Sequence, residues 1–269
     1  MVVKFKKHFT FKNKNYQSKR KSKPKTYRMK YYIGTSGWSY YSFKGILYPL
    51  ESKPKDWLSI YANHFNTVEI NATFYKLPSV KTLEKWYKET PGDFVFSVKA
   101  PKVITHVKRL KDISEDLKEF LKRVSALKEK AKVLLFQLPP SLRFDKDLIE
   151  SFLEVLPLDY QIVIEIRNQS FHYEGFTELL KTKGVCLCFS DCGVRYPSWY
   201  EVQTADFLYL RLHGRKQLYV SKYEEDELQG LVERLKKFDV KEIWVYFDNT
   251  ALGHAVSDAL TFKRLLSST

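Results

Sequence analysis

A chain of 269 residues with 44% hydrophobic and 16% aromatic side chains can bury a sizeable core, which excludes a disordered or fibrous class. No apolar run reaches the roughly 20 residues that span a bilayer, and the basic N-terminus lacks the apolar block of a signal peptide, so a cytoplasmic protein without a membrane span is expected. The net charge of +15 suggests nucleic acid until it is located: eleven of the 46 Lys and Arg fall in residues 1–28, which hold no acid, leaving 35 basic against 31 acidic side chains elsewhere.

Residues 1–28 carry neither helical nor alternating apolar periodicity and read as a disordered basic tail. Two readings stand for it: an arm that contacts RNA, DNA or anionic membrane through phosphates, or a solvated extension ahead of Met29, as an upstream start would add. The remainder, 29–269, is expected to form a single domain.

From Tyr31 onward short apolar runs alternate with amphipathic helical patterns. The runs at Tyr31 to Gly34, Thr67 to Ile70, Phe94 to Lys99, Val133 to Leu138, Gln161 to Ile166, Val185 to Ser190, Phe207 to Leu212 and Glu242 to Phe247 predict eight strands. Between them Leu117, Phe120, Leu121, Val124 and Leu127 make one helical stripe, and Leu148, Ile149, Phe152, Leu153 and Leu156 another. A third runs through Leu228, Leu231, Val232, Leu235 and Phe238, with Ser221-x-x-Glu224 as its expected capping box. The interval from Cys192 to Asp206 contains Pro197 and too few periodic residues for a full helix. This order predicts an α/β fold, a TIM-type (β/α) barrel of eight parallel strands with an irregular sixth helix. An open doubly wound sheet ranks lower, because Gly34-Thr35-Ser36-Gly37 lacks the third glycine of a dinucleotide fingerprint.

The three cysteines, Cys186, Cys188 and Cys192, are odd in number, and Cys-x-Cys on a strand places two thiols on one face. That is poor geometry for a disulfide, so buried free thiols are expected in preference to a metal site.

Strand parity then assigns the polar residues. In Ile162-Val163-Ile164-Glu165-Ile166-Arg167 the isoleucines share one face, which leaves Glu165 and Arg167 pointing inward. The same alternation turns Glu69 and Asn71, Lys99, Gln137, Arg211 and His213 inward, with Asp191, Asp248 and Asn249 completing the rim. Ionised groups at buried strand ends are costly unless partnered, so the repeated set points to a constructed polar site. A ring of structural salt bridges is the plain alternative. The aromatic segment Trp38 to Tyr48 offers either a stacking platform or a plug, and the loops bearing His106, Lys108 and Arg109 and His213, Arg215 and Lys216 offer anion clamps.

Gly34-Thr35-Ser36-Gly37-Trp38, Val68-Glu69-Ile70-Asn71-Ala72-Thr73-Phe74-Tyr75, Phe94 to Lys99 with Thr105-His106, Leu135-Phe136-Gln137-Leu138-Pro139-Pro140, Glu165-Ile166-Arg167, Arg211-Leu212-His213-Gly214 and Phe247-Asp248-Asn249-Thr250 together resemble the domain-of-unknown-function family 72, the YecE-like family, over about residues 30–267. The resemblance implies a barrel of the triosephosphate-isomerase type and leaves the reaction open. Asp248 departs from the family pattern, which has Asn there, and Phe171 stands where the pattern has Trp.

The expected function is an enzyme of hydrolase or isomerase type, acting by carboxylate acid/base chemistry on a small anionic, phosphate-bearing substrate. Glu69, Glu165 and His213 are the catalytic candidates; Trp38, Asn71, Tyr75, Lys99, His106, Gln137, Arg167, Asp191, Arg211, Asp248 and Asn249 are the binding candidates. Three alternatives remain open. A metal-assisted hydrolase would draw ligands for a divalent ion from Glu69, Glu165, Asp191, His213 and Asp248, and ranks below a metal-free site because no ligand spacing supports it. A glycoside hydrolase would pair Glu69 with Glu165. A nucleic-acid module would use the tail with Trp38 and Tyr40 as stacking faces.

Overall fold

The computed structural model describes residues 29–157 and 159–268. The basic tail lies outside the described residues.

Among the described residues nine strands form two wholly parallel sheets. The first has the order β1-β9-β8-β7, with β1 Lys30–Thr35, β9 Glu242–Phe247, β8 Phe207–Leu212 and β7 Phe189–Asp191. The second runs β2-β3-β4-β5-β6, with β2 Thr67–Ile70, β3 Val95–Lys99, β4 Ala131–Gln137, β5 Gln161–Glu165 and β6 Cys186–Leu187. Helices fall between successive strands: α1 Trp57–Ala62, α2 Ala72–Tyr75, α3 Val80–Glu89, α4 Ser114–Val124, α5 Lys146–Glu154, α6 Glu174–Lys183, α7 Glu225–Leu235 and α8 His254–Ser267. Among the described residues no helix occupies 192–206, as Pro197 and the missing periodicity predict.

Two expectations are corrected. The sixth predicted strand is two short ones, because its partner changes midway: Cys186 and Leu187 pair with β5, whereas Phe189 to Asp191 pair with β8. Between them Cys188 N still donates to Ile164 O at 2.9 Å. The ladders therefore number nine strands in two sheets, not eight in one closed sheet. At the other boundary, β1 and β2 share a single bridge, Ser36 to Glu69, with Gly37 N donating to Glu69 O at 2.8 Å. The cap of α7 also shifts: Glu224 and Glu227 form the reciprocal box, while Ser221 Oγ accepts from the Lys216 and Gln217 amides.

The core has two parts, as strand parity requires. The larger lies between strands and helices and takes Ile162 and Ile164 of β5, and Ile166 just past it, with Phe152 and Leu153 of α5. The smaller lies on the opposite strand faces and joins both sheets, with Val95, Val133, Leu135 and Val163 from one and Tyr209, Trp244 and Tyr246 from the other. Tyr209 Oη crosses to Ser97 Oγ at 2.7 Å and Tyr246 Oη to Thr67 Oγ1 at 2.7 Å. All strands being parallel, their C-terminal ends, and the polar residues there, gather at one end of this inner cluster.

Candidate functional site

Arg211 on β8 is the hub of that end. It is 1% exposed, and a guanidinium so placed survives only if its donors are satisfied. They are: Nε and Nη2 hold Glu69, with Nη2 2.8 Å from Oε1; Nη1 lies 2.8 Å from Glu165 Oε2; and Nη2 reaches Asp248 Oδ2 at 3.1 Å. Glu69 is further held by Ser36 Oγ at 2.7 Å and by Tyr209 Oη at 2.6 Å, so both its oxygens are engaged. Glu165 accepts from Arg167 Nε at 3.0 Å and from Ser190 Oγ at 3.1 Å. Burial pushes its carboxyl upward, but Arg167 and Arg211 outweigh burial and hold it far below the usual carboxylate range. Burial likewise raises Asp248, and His213 and Arg211 reverse the direction.

His213 closes the cluster. Its Nδ1 lies 2.8 Å from Asp248 Oδ2, though not aligned for an in-line N–H bond. Its Nε2 lies 3.1 Å from Arg211 Nη1. A guanidinium only donates, so Nε2 accepts and the ring proton sits on Nδ1, toward the carboxylate. Burial and Arg211 press the ring's pKa down, and Asp248 and Cys192 turn the net direction upward. A second proton, on Nε2, must therefore displace Arg211.

On the neighbouring strand ends the opposite condition holds. Lys99, at the end of β3, is 8% exposed, yet its ammonium has no hydrogen-bond or ion-pair partner among the described residues; it rests over the Phe74 ring at 4.3 Å. Burial first, then the positive Arg211, lower its pKa to about 8, against the pull of Glu165, Glu69 and Asp248. Gln137, buried at the end of β4 and in register with Glu165, has no side-chain partner among the described residues. Just past β2, Asn71 Oδ1 is buried and unpartnered. Three unfilled polar groups thus stand on three consecutive strands.

A family model described as "Protein of unknown function DUF72" matches residues 32–269. The chain belongs to the DUF72 family. The motifs from Gly34 to Thr250 thus resemble the family to which the chain belongs. The chain is similar to a DUF72 family protein of Thermotoga maritima, with 33% identity, a TM-score of 0.80, and 88% of this chain and 99% of that one covered. A DUF72 family protein of Enterococcus faecalis, 22% identical, shares the fold at a TM-score of 0.72 over 90% of this chain and 99% of that one. Among curated relatives, UPF0759 protein YunF of Bacillus subtilis is 27% identical over 87% of this chain and 94% of its own length. UPF0759 protein YecE of Escherichia coli is 33% identical over 48% of this chain; the match spans about half of that protein, 47%.

Within this DUF72 chain the structure brings together Glu69, Lys99, Glu165, Arg167, Arg211 and His213, expected from strand parity, and Asp248, expected at the rim. Arg167 stacks over Tyr196 at 4.6 Å. His106 sits edge-on to Phe74 at 5.0 Å, bonded through Nδ1 to Thr105 Oγ1. Burial, Lys99 and Arg167 drive its pKa down to about 4, so it is neutral near pH 7. Trp38 is buried edge-on against Trp86 and, with Tyr40, Asn71 and the outlying, 74% exposed Tyr75, lines a cavity of about 280 Å³.

Other expected members stand apart. Asp191 is taken by Arg215 at 2.8 Å and by the Gly193 amide. Asn249 Nδ2 ties Ser221 O to Asp258, an anchor for the loop before α7. Arg109 is spent on Ser141 and Lys108 on Asp116 in one loop, and Arg215 on Asp191 and Glu227 in the other, so these three cations are not held open for an anion. Arg211, expected to meet substrate, is committed to three carboxylates. The same guanidinium clamps Glu69 and Glu165 together, which leaves no free carboxylate pair for glycoside hydrolysis. Buried Trp38, and Tyr40 bonded to Ser36 O, do not present an open stacking platform.

Sequence reading misses Cys192, Ser36, Ser190 and Tyr209. Cys192, Glu165 and His213 offer ligand atoms within 4.8 Å of one another, the one grouping among the described residues suited to a metal. Arg211, however, already occupies His213 Nε2 and Glu165, and Arg167 and Lys99 add like charge against a cation. The thiol is pushed up by burial and brought below its ordinary value by His213. The signal was present: Tyr209 shares the strand face of Arg211, and Cys192 directly follows the rim residue Asp191.

Proposed function

We propose that the C-terminal strand ends form an enzyme active site for a small anionic substrate. Arg167 and Lys99 take the anion, and Gln137 and Asn71 give it hydrogen bonds. In the same reading the two sheets are halves of one β/α barrel, with β6 and β7 sharing the sixth position and the Ser36–Glu69 bridge closing the first seam. The observation that carries the proposal is the contrast between two neighbouring groups of side chains. Around Arg211 most polar atoms are engaged, whereas the largely buried Lys99 and Gln137 have no side-chain hydrogen-bond partner among the described residues and Asn71 Oδ1 is buried without one. Buried polar groups without partners cost free energy, and a ligand that pairs with them recovers it.

The contrast also divides the acid/base roles. Glu165, held far below the usual range, is a weak base, and Glu69 is saturated by Arg211, Ser36 and Tyr209. These carboxylates fix the framework. Lys99, with its pKa near 8, is the group placed to exchange a proton around neutral pH. The test is calorimetric titration with inorganic phosphate and small carboxylates. Lys99→Met and Gln137→Leu are each expected to weaken binding about ten-fold or more, the loss of one good contact. Equal binding by wild type and both variants overturns the proposal.

A further inference from the structure

We propose that Lys99 is a covalent nucleophile, which condenses with the carbonyl carbon of an anionic aldehyde or keto acid to form an imine. This rests on the anion-binding reading above and deepens it by naming the substrate class. Three observations carry it. The amine lies at a strand end with its charged head over the Phe74 ring and, among the described residues, no carboxylate within ion-pair distance, so no salt bridge there must break before it reacts. Glu69, Glu165 and Asp248, which would otherwise pin it, are held by Arg211, Arg167 and His213. A desolvated lysine beside a second cation is the arrangement that frees an amine near neutral pH, and here burial and Arg211 act in that direction.

The step balances without an oxidant. The amine lone pair forms the C–N bond, the carbonyl π electrons move to oxygen, and that oxygen leaves as water with both amine hydrogens. Protonation of the imine nitrogen from solvent gives the iminium. The carboxylate of the substrate then lies by Arg167, beside the neutral ring of His106, which offers no competing charge.

The experiment incubates the protein with pyruvate or glyoxylate and sodium cyanoborohydride, whose hydride reduces an imine to a stable secondary amine, and maps the label by peptide mass spectrometry. At limiting probe and pH 7.5, Lys99 is expected to carry about ten-fold or more label than the mean of the other lysines, because ordinary lysines with pKa about 10.4 are almost wholly protonated there. Lys99→Arg, checked by thermal melting to be folded, is expected to lose that label while keeping the positive charge, and excess phosphate to slow labelling in the wild type. Label spread evenly over the lysines and unchanged in Lys99→Arg overturns the imine. If phosphate still binds calorimetrically in that case, the anion reading stands alone; if phosphate neither binds nor protects, both fall.

Discussion

At the scale of single residues the site divides by hydrogen-bond supply. Replacing Glu69 by Gln leaves Arg211 buried with a partner charge removed, and a loss of about 3–5 kcal/mol is expected in urea denaturation. Tyr209→Phe removes one bond to the same carboxylate and is expected to cost about 1 kcal/mol. Equal, small effects would mean that Arg211 is not the hub. Glu165 has a folded pKa below its unfolded value, so its contribution is present above about pH 4.5 and is lost as pH falls below that value. Stability followed by denaturation between pH 6 and pH 3 should decline more steeply in wild type than in Glu165→Gln. Lys99 has the reverse sign. Its folded pKa near 8 lies below the unfolded 10.5, so its cost is full below pH 8 and relieved as pH rises to 10.5. Wild type should gain on the order of 3 kcal/mol relative to Lys99→Met across that window; parallel curves would place Lys99 in water. The sequence makes the inward faces of Glu165, Lys99 and Arg211 legible, because parity along a strand needs only neighbours. It hides which oxygens are already taken, since Ser36, Tyr209 and Arg211 reach Glu69 from 33, 140 and 142 positions away.

At the scale of elements, seven strands fall within two residues of the positions that apolar runs predict, and the helical stripes of α4, α5 and α7 face the core as periodicity demands. The sixth strand is the exception. Val185 to Ser190 is one apolar run, and nothing in its composition reveals that Cys186 and Leu187 pair with β5 and Phe189 to Asp191 with β8. The α7 cap fails differently: Ser221 and Glu224 fit the motif locally, but Ser221 Oγ is used by the preceding turn. The seam between β1 and β2 depends on close approach at Gly34, where an added Cβ would lie 2.2 Å from Thr67 O and 2.8 Å from Tyr61 Oη. Gly34→Ala is expected to lower stability by about 1–3 kcal/mol through this overlap. A denaturation midpoint equal to wild type would show that the seam yields without cost.

At the scale of the whole molecule, three carboxylates, Glu69, Glu165 and Asp248, face the cations Arg167, Arg211 and Lys99, so the strand-end cluster is close to neutral while Lys99 is protonated. This balance explains how so many ionisable groups can share a buried end of the fold. It also explains why Lys99 is the member whose charge changes most readily: the arginines cannot lose a proton near neutral pH, and Glu165 and Asp248 are held ionised. The general charge of +15 says nothing of this, because the balance is set by which side chains meet, not by their total. An anion arriving at Lys99 favours the protonated amine and must raise its pKa. The most direct measurement is therefore the NMR titration of the Lys99 side chain, isotopically labelled and assigned by its loss in Lys99→Met, with and without phosphate. The account predicts a midpoint near 8 that moves upward as phosphate is added. A midpoint near 10.5, or one that phosphate leaves unmoved, would contradict it.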